Sequence, residues 1–197
     1  MVAETDKAVL QSRQKRYSSI HAHHIGVAIE TDLLENARIS PRLFYSYGSF
    51  RNLFTIDAGL KYIYSHPMCH VTDEKVTGHY LAPFAAIDFH FLHWEEGCMF
   101  AGGEVAYNFR VTGEHYLPAS DLIVGDKNIC NHHCSLRAKV GVRLEKWVFN
   151  IHYEYDLAPS YNQKYIYESA AYDFATLRPS LYERHRVGVS IAYLFTF

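Results

Sequence analysis

From about His24 to the last residue, the hydropathy of this chain alternates with period two, in about eight runs of roughly 9–13 residues. Side chains on a β-strand point to opposite faces in turn, so each run splits into two rows. In Trp147 to Leu157, one row is Trp147, Phe149, Ile151, Tyr153, Tyr155 and Leu157, and the other is Val148, Asn150, His152, Glu154 and Asp156. The run before it sets Leu136, Ala138, Val140, Val142 and Leu144 against Arg137, Lys139, Gly141, Arg143 and Glu145. The remaining runs begin near His24, Ile39, Asn52, Leu81, Ala101 and Arg186. Strands of ordinary domains peak at about 5–6 residues, whereas about 9–11 tilted residues cross a bilayer. Pro41 and Pro83 each remove a ladder donor and are expected near a strand's start, before pairing begins.

Two all-β architectures share this pattern. A soluble lipocalin-like barrel places the apolar row inside, and a transmembrane barrel places it outside. Composition narrows the field without choosing between them. The 16 Tyr and 12 Phe exclude disorder, the net charge of −2 gives no basic field for nucleic acid, and no apolar run is long enough for a spanning helix. Three patterns favour the membrane. The polar row mixes Gly, Ala and Ser with charges of both signs, as a narrow eight-stranded lumen requires. Large aromatics gather at the ends of the apolar row, as in interfacial girdles. Short connections at 48–51, 94–98 and 145–146 alternate with long polar ones at 66–78, 113–134 and 158–185, although the first connection, 34–38, is brief. The expected fold is therefore an eight-stranded antiparallel up-and-down transmembrane β-barrel. Its short turns and both termini are expected to be periplasmic and its long loops extracellular. Residues 1–16 are read as a flexible or short helical lead-in and 17–197 as the barrel domain, in a mature form whose signal peptide has been removed.

The chain ends on Tyr193-Leu194-Phe195-Thr196-Phe197, with aromatics at alternating positions and a terminal Phe. This segment resembles the C-terminal insertion signal of bacterial outer-membrane barrels, although Ser190 and Ala192 stand where that signal usually carries Gly. The whole layout resembles the small eight-stranded outer-membrane barrels, the class of the OmpA transmembrane domain and OmpX. The resemblance implies residence in the outer membrane of a Gram-negative bacterium, with Tyr193, Phe195 and Phe197 as the insertion signal. It transfers no function.

The inner row collects Arg42, Lys61, Arg110, Arg137, Lys139, Arg143 and Arg186 against Glu30, Asp32, Asp57, Asp88, Glu104, Glu145, Glu154 and Asp156. Such balance suits a salt-bridged plug better than a conducting pore. His152, Glu154 and Asp156 share a face at alternate positions; a metal or acid–base site is conceivable there, but neutralised lumen charge is the simpler account. Counting outward from a two-residue turn at Glu145-Lys146 sets Arg137 opposite Glu154 and Lys139 opposite His152. Arg137 and Glu154 should then form a two-body ion pair, with Lys139 beside His152.

The third loop holds Cys130, His132, His133 and Cys134, soft ligands that zinc accepts. An oxidising compartment favours a disulfide among Cys69, Cys130 and Cys134, which leaves one surface thiol unpaired, with Cys98 on the other side. The lipid A 3-O-deacylase family carries a His-x-Ser-Asn motif facing lipid. Here His133-Cys134-Ser135-Leu136 matches only its first part, and Ser135 has lumen parity. No motif of the lipid A palmitoyltransferases aligns, and an omptin-type protease needs a larger barrel. No phosphate loop, nucleophile elbow or zincin motif is present, so no cofactor is expected. The expected role is non-catalytic, either as an accessory subunit of an outer-membrane assembly or as a presenter of surface loops. Partners would be the bilayer, lipopolysaccharide and, in the accessory role, other outer-membrane proteins. A lipid A-modifying enzyme and a soluble carrier are the alternatives. Deleting Phe197 is expected to impair membrane insertion; normal insertion in a heat-modifiability assay would remove the insertion-signal reading.

Overall fold

The computed structural model describes residues 23–33, 37–66, 75–117, 122–125, 131–158 and 184–196. The lead-in at 1–16, Phe197, Cys69 and Cys130 lie outside the described residues. Nine strands are present among them: β1 (His23–Asp32), β2 (Ala37–Tyr47), β3 (Phe54–His66), β4 (Lys75–Trp94), β5 (Gly97–Leu117), β6 (Leu122–Gly125), β7 (His132–Leu144), β8 (Trp147–Asp156) and β9 (His185–Thr196). All neighbours pair antiparallel, from β4 through β3, β2, β1, β9, β8 and β7 to β5, and β4 pairs with β5 to complete the circle. Eight strands thus form a closed barrel, and β6 is a short ribbon strand added to β5. The last strand meets the first, with His24 opposite Thr196 and Asp32 opposite Gly188.

The two rows face as a membrane requires. Ile29 is 53% exposed and Ile151 56%, while Lys61 is 0% and Glu154 1%. In water this arrangement would be inverted, because each exposed Ile or Leu forgoes roughly 1.5–3 kcal/mol of burial. An outer wall of Val27, Leu43, Leu60, Ile87, Val140 and Ile151 therefore has hydrocarbon as its solvent. The lipocalin arrangement is excluded by the same observation.

Inside, the lumen is a packed core. Phe44, Ile63, Tyr80, Phe84 and Leu194 form an apolar cluster among the polar residues. Phe44 sits between two glycines, opposite Gly26 on β1 and Gly59 on β3. A Cβ at Gly26 would lie 2.2 Å from the Phe44 ring, and one at Gly59 would lie 2.6 Å from its Cβ. The small residues of the inner row thus create the space that this ring fills.

The structure revises several sequence expectations about boundaries. Residues 75–78 and 113–117, expected in long loops, continue β4 and β5 as a paired ribbon, and 114–117 also pair with 122–125. His132 to Cys134 belong to β7, opposite Phe109, Asn108 and Tyr107, and Ala37 and Arg38 open β2. An antiparallel ladder that has already formed extends at little further cost, so polar residues beyond the apolar belt are drawn into it. Both prolines lie inside strands rather than at their starts. The β2–β3 ladder carries no pair at Ser40 and Pro41, and the β4–β5 ladder none at Ala82 and Pro83. Each proline is tolerated because only one of its two flanking ladders needs its missing donor.

The connections at the turn side are tight. Gly48 takes φ 112°, a conformation natural to glycine, and Ser49 donates its backbone N–H to Asn52 Oδ1 at 3.1 Å. Glu95-Glu96 and Glu145-Lys146 link β4 to β5 and β7 to β8. A charge placed on the outer wall tests the sidedness: Val140→Arg is expected to destabilise the vesicle-embedded barrel by about 2–4 kcal/mol in urea unfolding. An unchanged midpoint would show that Val140 does not face lipid.

Candidate functional site: a charge-filled lumen

The barrel brings charges from seven strands into one ion-pair network. Glu30 of β1 binds Arg42 of β2 and accepts from Arg137 Nη2 at 2.9 Å. Arg42 also reaches Glu104 of β5 at 2.6 Å, and its guanidinium lies 3.8 Å from the centre of the Phe84 ring. Lys61 of β3 lies between Glu104 and Glu154, 3.3 and 3.2 Å away. Glu154 of β8 is the hub. Besides Lys61 it takes Arg38 Nη1 at 3.1 Å, Arg137 Nε at 2.9 Å and Arg186 Nη2 at 3.0 Å. Toward the loop side, Arg186 also binds Asp156, and His133 Nε2 stands 3.4 Å from Asp156. Toward the turn side, Lys139 crosses to Asp88 at 3.0 Å and approaches Asp57 at 3.8 Å.

The β7–β8 register is the one counted from the two-residue turn, with Arg137 opposite Glu154, Lys139 opposite His152 and Gly141 opposite Asn150. Opposed Cβ atoms in such a pair lie within side-chain contact. The contacts are nevertheless not two-body. Lys139 turns away from His152 toward β4 and β3, and His152 Nδ1 is 3.2 Å from Asn150 Oδ1. Arg143 donates to the Gly48 carbonyl at 3.2 Å rather than to a carboxylate. Arg110 donates to Asn131 Oδ1 at 2.6 Å, on the loop-side rim. The register shift at His79/Tyr80 leaves Val111 as an extra residue on β5, so Arg110 stands at the barrel's mouth. Glu145, expected in the inner row, is exposed at its turn.

Two members were not singled out from the sequence. Arg38 was read as part of a connection, and only its place in the β2 alternation, four residues before Arg42, could have revealed it. His133 was read as a loop ligand but is buried in the lumen. Its neighbours in that group do not join it: His132 and Cys134 have the opposite parity, and His132 stacks outside on Tyr107. Residues adjacent on a strand cannot converge on one ion. Among the described residues no metal-binding cluster forms. Cys134 is a free thiol, and Cys98 is buried in the lumen.

His133, Ser135 and Asp156 bring the residue types of a hydrolytic triad close together, with Ser135 opposite Asp156. They are not arranged as one. Ser135 Oγ accepts from Asn108 at 3.3 Å, His133 Nδ1 has no hydrogen-bond partner, and all three residues are buried inside the barrel. An acyl-chain substrate would approach from the lipid face, whereas this group lies in the lumen-facing row.

The hub makes a specific mutational prediction. Truncating one partner of a buried pair typically costs about 3–5 kcal/mol because the other charge is stranded. Glu154→Gln removes the negative charge that four cations share, leaves Arg38 without a carboxylate among the described residues, and is expected to cost about this much in chemical unfolding. Because Glu154 serves Arg38, Lys61 and Arg186 as well, Arg137→Ala combined with Glu154→Ala should be no more stable than Arg137→Ala alone. A double variant that recovered stability would reduce the network to an isolated pair.

No protein-family model matches the chain, and no curated protein matches it in sequence. Solved structures align over most of its length. Neisserial surface protein A (NspA) is 15% identical with a TM-score of 0.45, covering 90% of this chain and 96% of its own. The N-terminal β-barrel domain of Pseudomonas aeruginosa OprF is 11% identical with a TM-score of 0.41, covering 88% and 97%. A structure from the de novo design of transmembrane β-barrels is 8% identical with a TM-score of 0.41, covering 88% and 95%. The chain itself is a closed antiparallel eight-stranded circle with an apolar outer wall and a charged, filled lumen.

Proposed function

We propose that this protein is a non-catalytic integral barrel of the bacterial outer membrane that interacts through its long connections and its outer wall. The observation that carries this reading is the sealed lumen. Lys61, Glu154 and Asp156 are completely or almost completely buried at its centre, tied to one another through shared partners. Among the described residues, a lumen filled in this way leaves no open channel for a solute. Recognition is left to the rims and the lipid-facing surface. The connection after β8 contains Ser160-Tyr-Asn-Gln-Lys-Tyr-Ile-Tyr, and tyrosine offers rigid amphipathic area at low entropic cost. Lipopolysaccharide and neighbouring outer-membrane proteins are the partners this reading implies.

Reconstituted in planar bilayers, the protein is expected to show no discrete single-channel openings. In intact cells, added protease is expected to cleave within 159–183 and to spare the turns at 95–96 and 145–146. Stable openings would show that the lumen conducts, and cleavage at the turns would invert the orientation.

A further inference from the structure

Every second junction around the barrel carries an outward-facing aromatic unit built on one histidine. On the β3–β4 junction, His79 is opposite Tyr64, with ring centres 5.1 Å apart. Tyr62, two residues deeper in the wall, bonds its hydroxyl to His79 Nδ1. The β8–β9 junction repeats this, with His185 opposite Tyr155 at 4.9 Å and Tyr153 bonded to His185 Nδ1. On β5–β7, His132 is opposite Phe109 and stacks on the deeper Tyr107 at 6.0 Å, 17° from parallel. All three lie at the loop-side border of the apolar belt. The fourth unit, on β1–β2, joins His23 to Tyr45 and Tyr47 at the opposite border. That border otherwise carries indole, as Trp94 and Trp147, with Trp147 packed on Tyr193 at 4.9 Å.

The chemistry of the two borders therefore differs. In the units on His79 and His185 a phenol hydroxyl occupies Nδ1, which leaves Nε2 of each imidazole to face its surroundings; with the hydroxyl as donor, that nitrogen carries the ring N–H. Donors placed at the edge of a hydrocarbon belt fit an anionic oxygen, because charge-assisted hydrogen bonds are roughly twice as strong as neutral ones. The distribution also selects the ligand. A protein partner contacts one side of a barrel, but the three loop-side units are spread over the β3–β4, β5–β7 and β8–β9 junctions, as the lipids of one leaflet are.

We propose that His79, His132 and His185 form a collar that binds the phosphate of anionic lipids in the loop-side leaflet. The proposal rests on the transmembrane reading and adds to it a preference between leaflets. Native mass spectrometry of the barrel in neutral detergent tests it, with dioleoylphosphatidylglycerol and dioleoylphosphatidylcholine as probes and inorganic phosphate as competitor. Wild type is expected to retain phosphatidylglycerol over phosphatidylcholine. Replacing all three histidines by Phe preserves the aromatic packing and should weaken phosphatidylglycerol binding about tenfold or more. His23→Phe should leave most of the binding intact. The double variant His79→Phe with His185→Phe, expected to be intermediate, serves if the triple variant does not fold. Equal binding by the histidine-free collar would overturn the proposal, and that outcome would leave a protein as the occupant of the rim. Displacement by inorganic phosphate would overturn its assignment to a lipid headgroup. A wild-type chain that fails to enter vesicles at all, seen as unchanged migration on heating, would instead overturn the transmembrane reading.

Discussion

Charges inside this barrel have no water to retreat to, and that constraint orders the rest of the structure. Glu30, Glu104 and Glu154 come from β1, β5 and β8, and their cations come from β2, β3, β7 and β9. Burying an isolated ion in a low-dielectric interior costs several kcal/mol even after relaxation. The network removes that cost only if the strands hold one register, since a shift of one residue would turn every carboxylate out to the lipid. Strand register, lumen packing and the choice of small residues at Gly26 and Gly59 all serve the same requirement.

The sequence made the fold legible because a barrel repeats one simple rule. The β7–β8 register follows from the two-residue turn and an unbroken alternation on either side of it. Sidedness was legible from the uneven sizes in the inner row, where Gly26 and Gly59 face Phe44. The contacts across the lumen were not legible. Arg38 reaches Glu154 from β2, 116 positions away in the chain, and no local pattern encodes such a meeting. Pairing along a ladder can be counted, whereas pairing across a lumen depends on barrel tilt and on which side chains are long enough to meet. For the same reason Lys139 was assigned to His152, its ladder neighbour, although its ammonium reaches Asp88.

Misplaced boundaries have a related origin. His133 and Arg38 stand beyond the apolar belt, where alternation fades because both faces meet polar surroundings. The backbone there continues its ladder for want of a reason to stop, and the side chains of the inner row remain inside. The outer row at the same level carries the histidines of the rim, which from the sequence alone resemble metal ligands. Strand parity separates the two groups: His133 belongs to the lumen and His132 to the lipid border.

The ion pairs that span the lumen have a consequence for assembly. An open sheet, before β9 meets β1, holds Arg38 and Lys61 on strands that are not yet gathered around a common interior with Glu154. Hairpin neighbours match part of the charge, Glu154 with Arg137 and Arg186 and Glu30 with Arg42, but Arg38 and Lys61 reach Glu154 only across the lumen. A half-built sheet would have to carry those charges bare into hydrocarbon, whereas the closed circle carries them already matched. The network thus acts as an assembly checkpoint: the wall becomes compatible with the membrane core only when the circle is complete, which couples the closing of the last seam to the act of insertion.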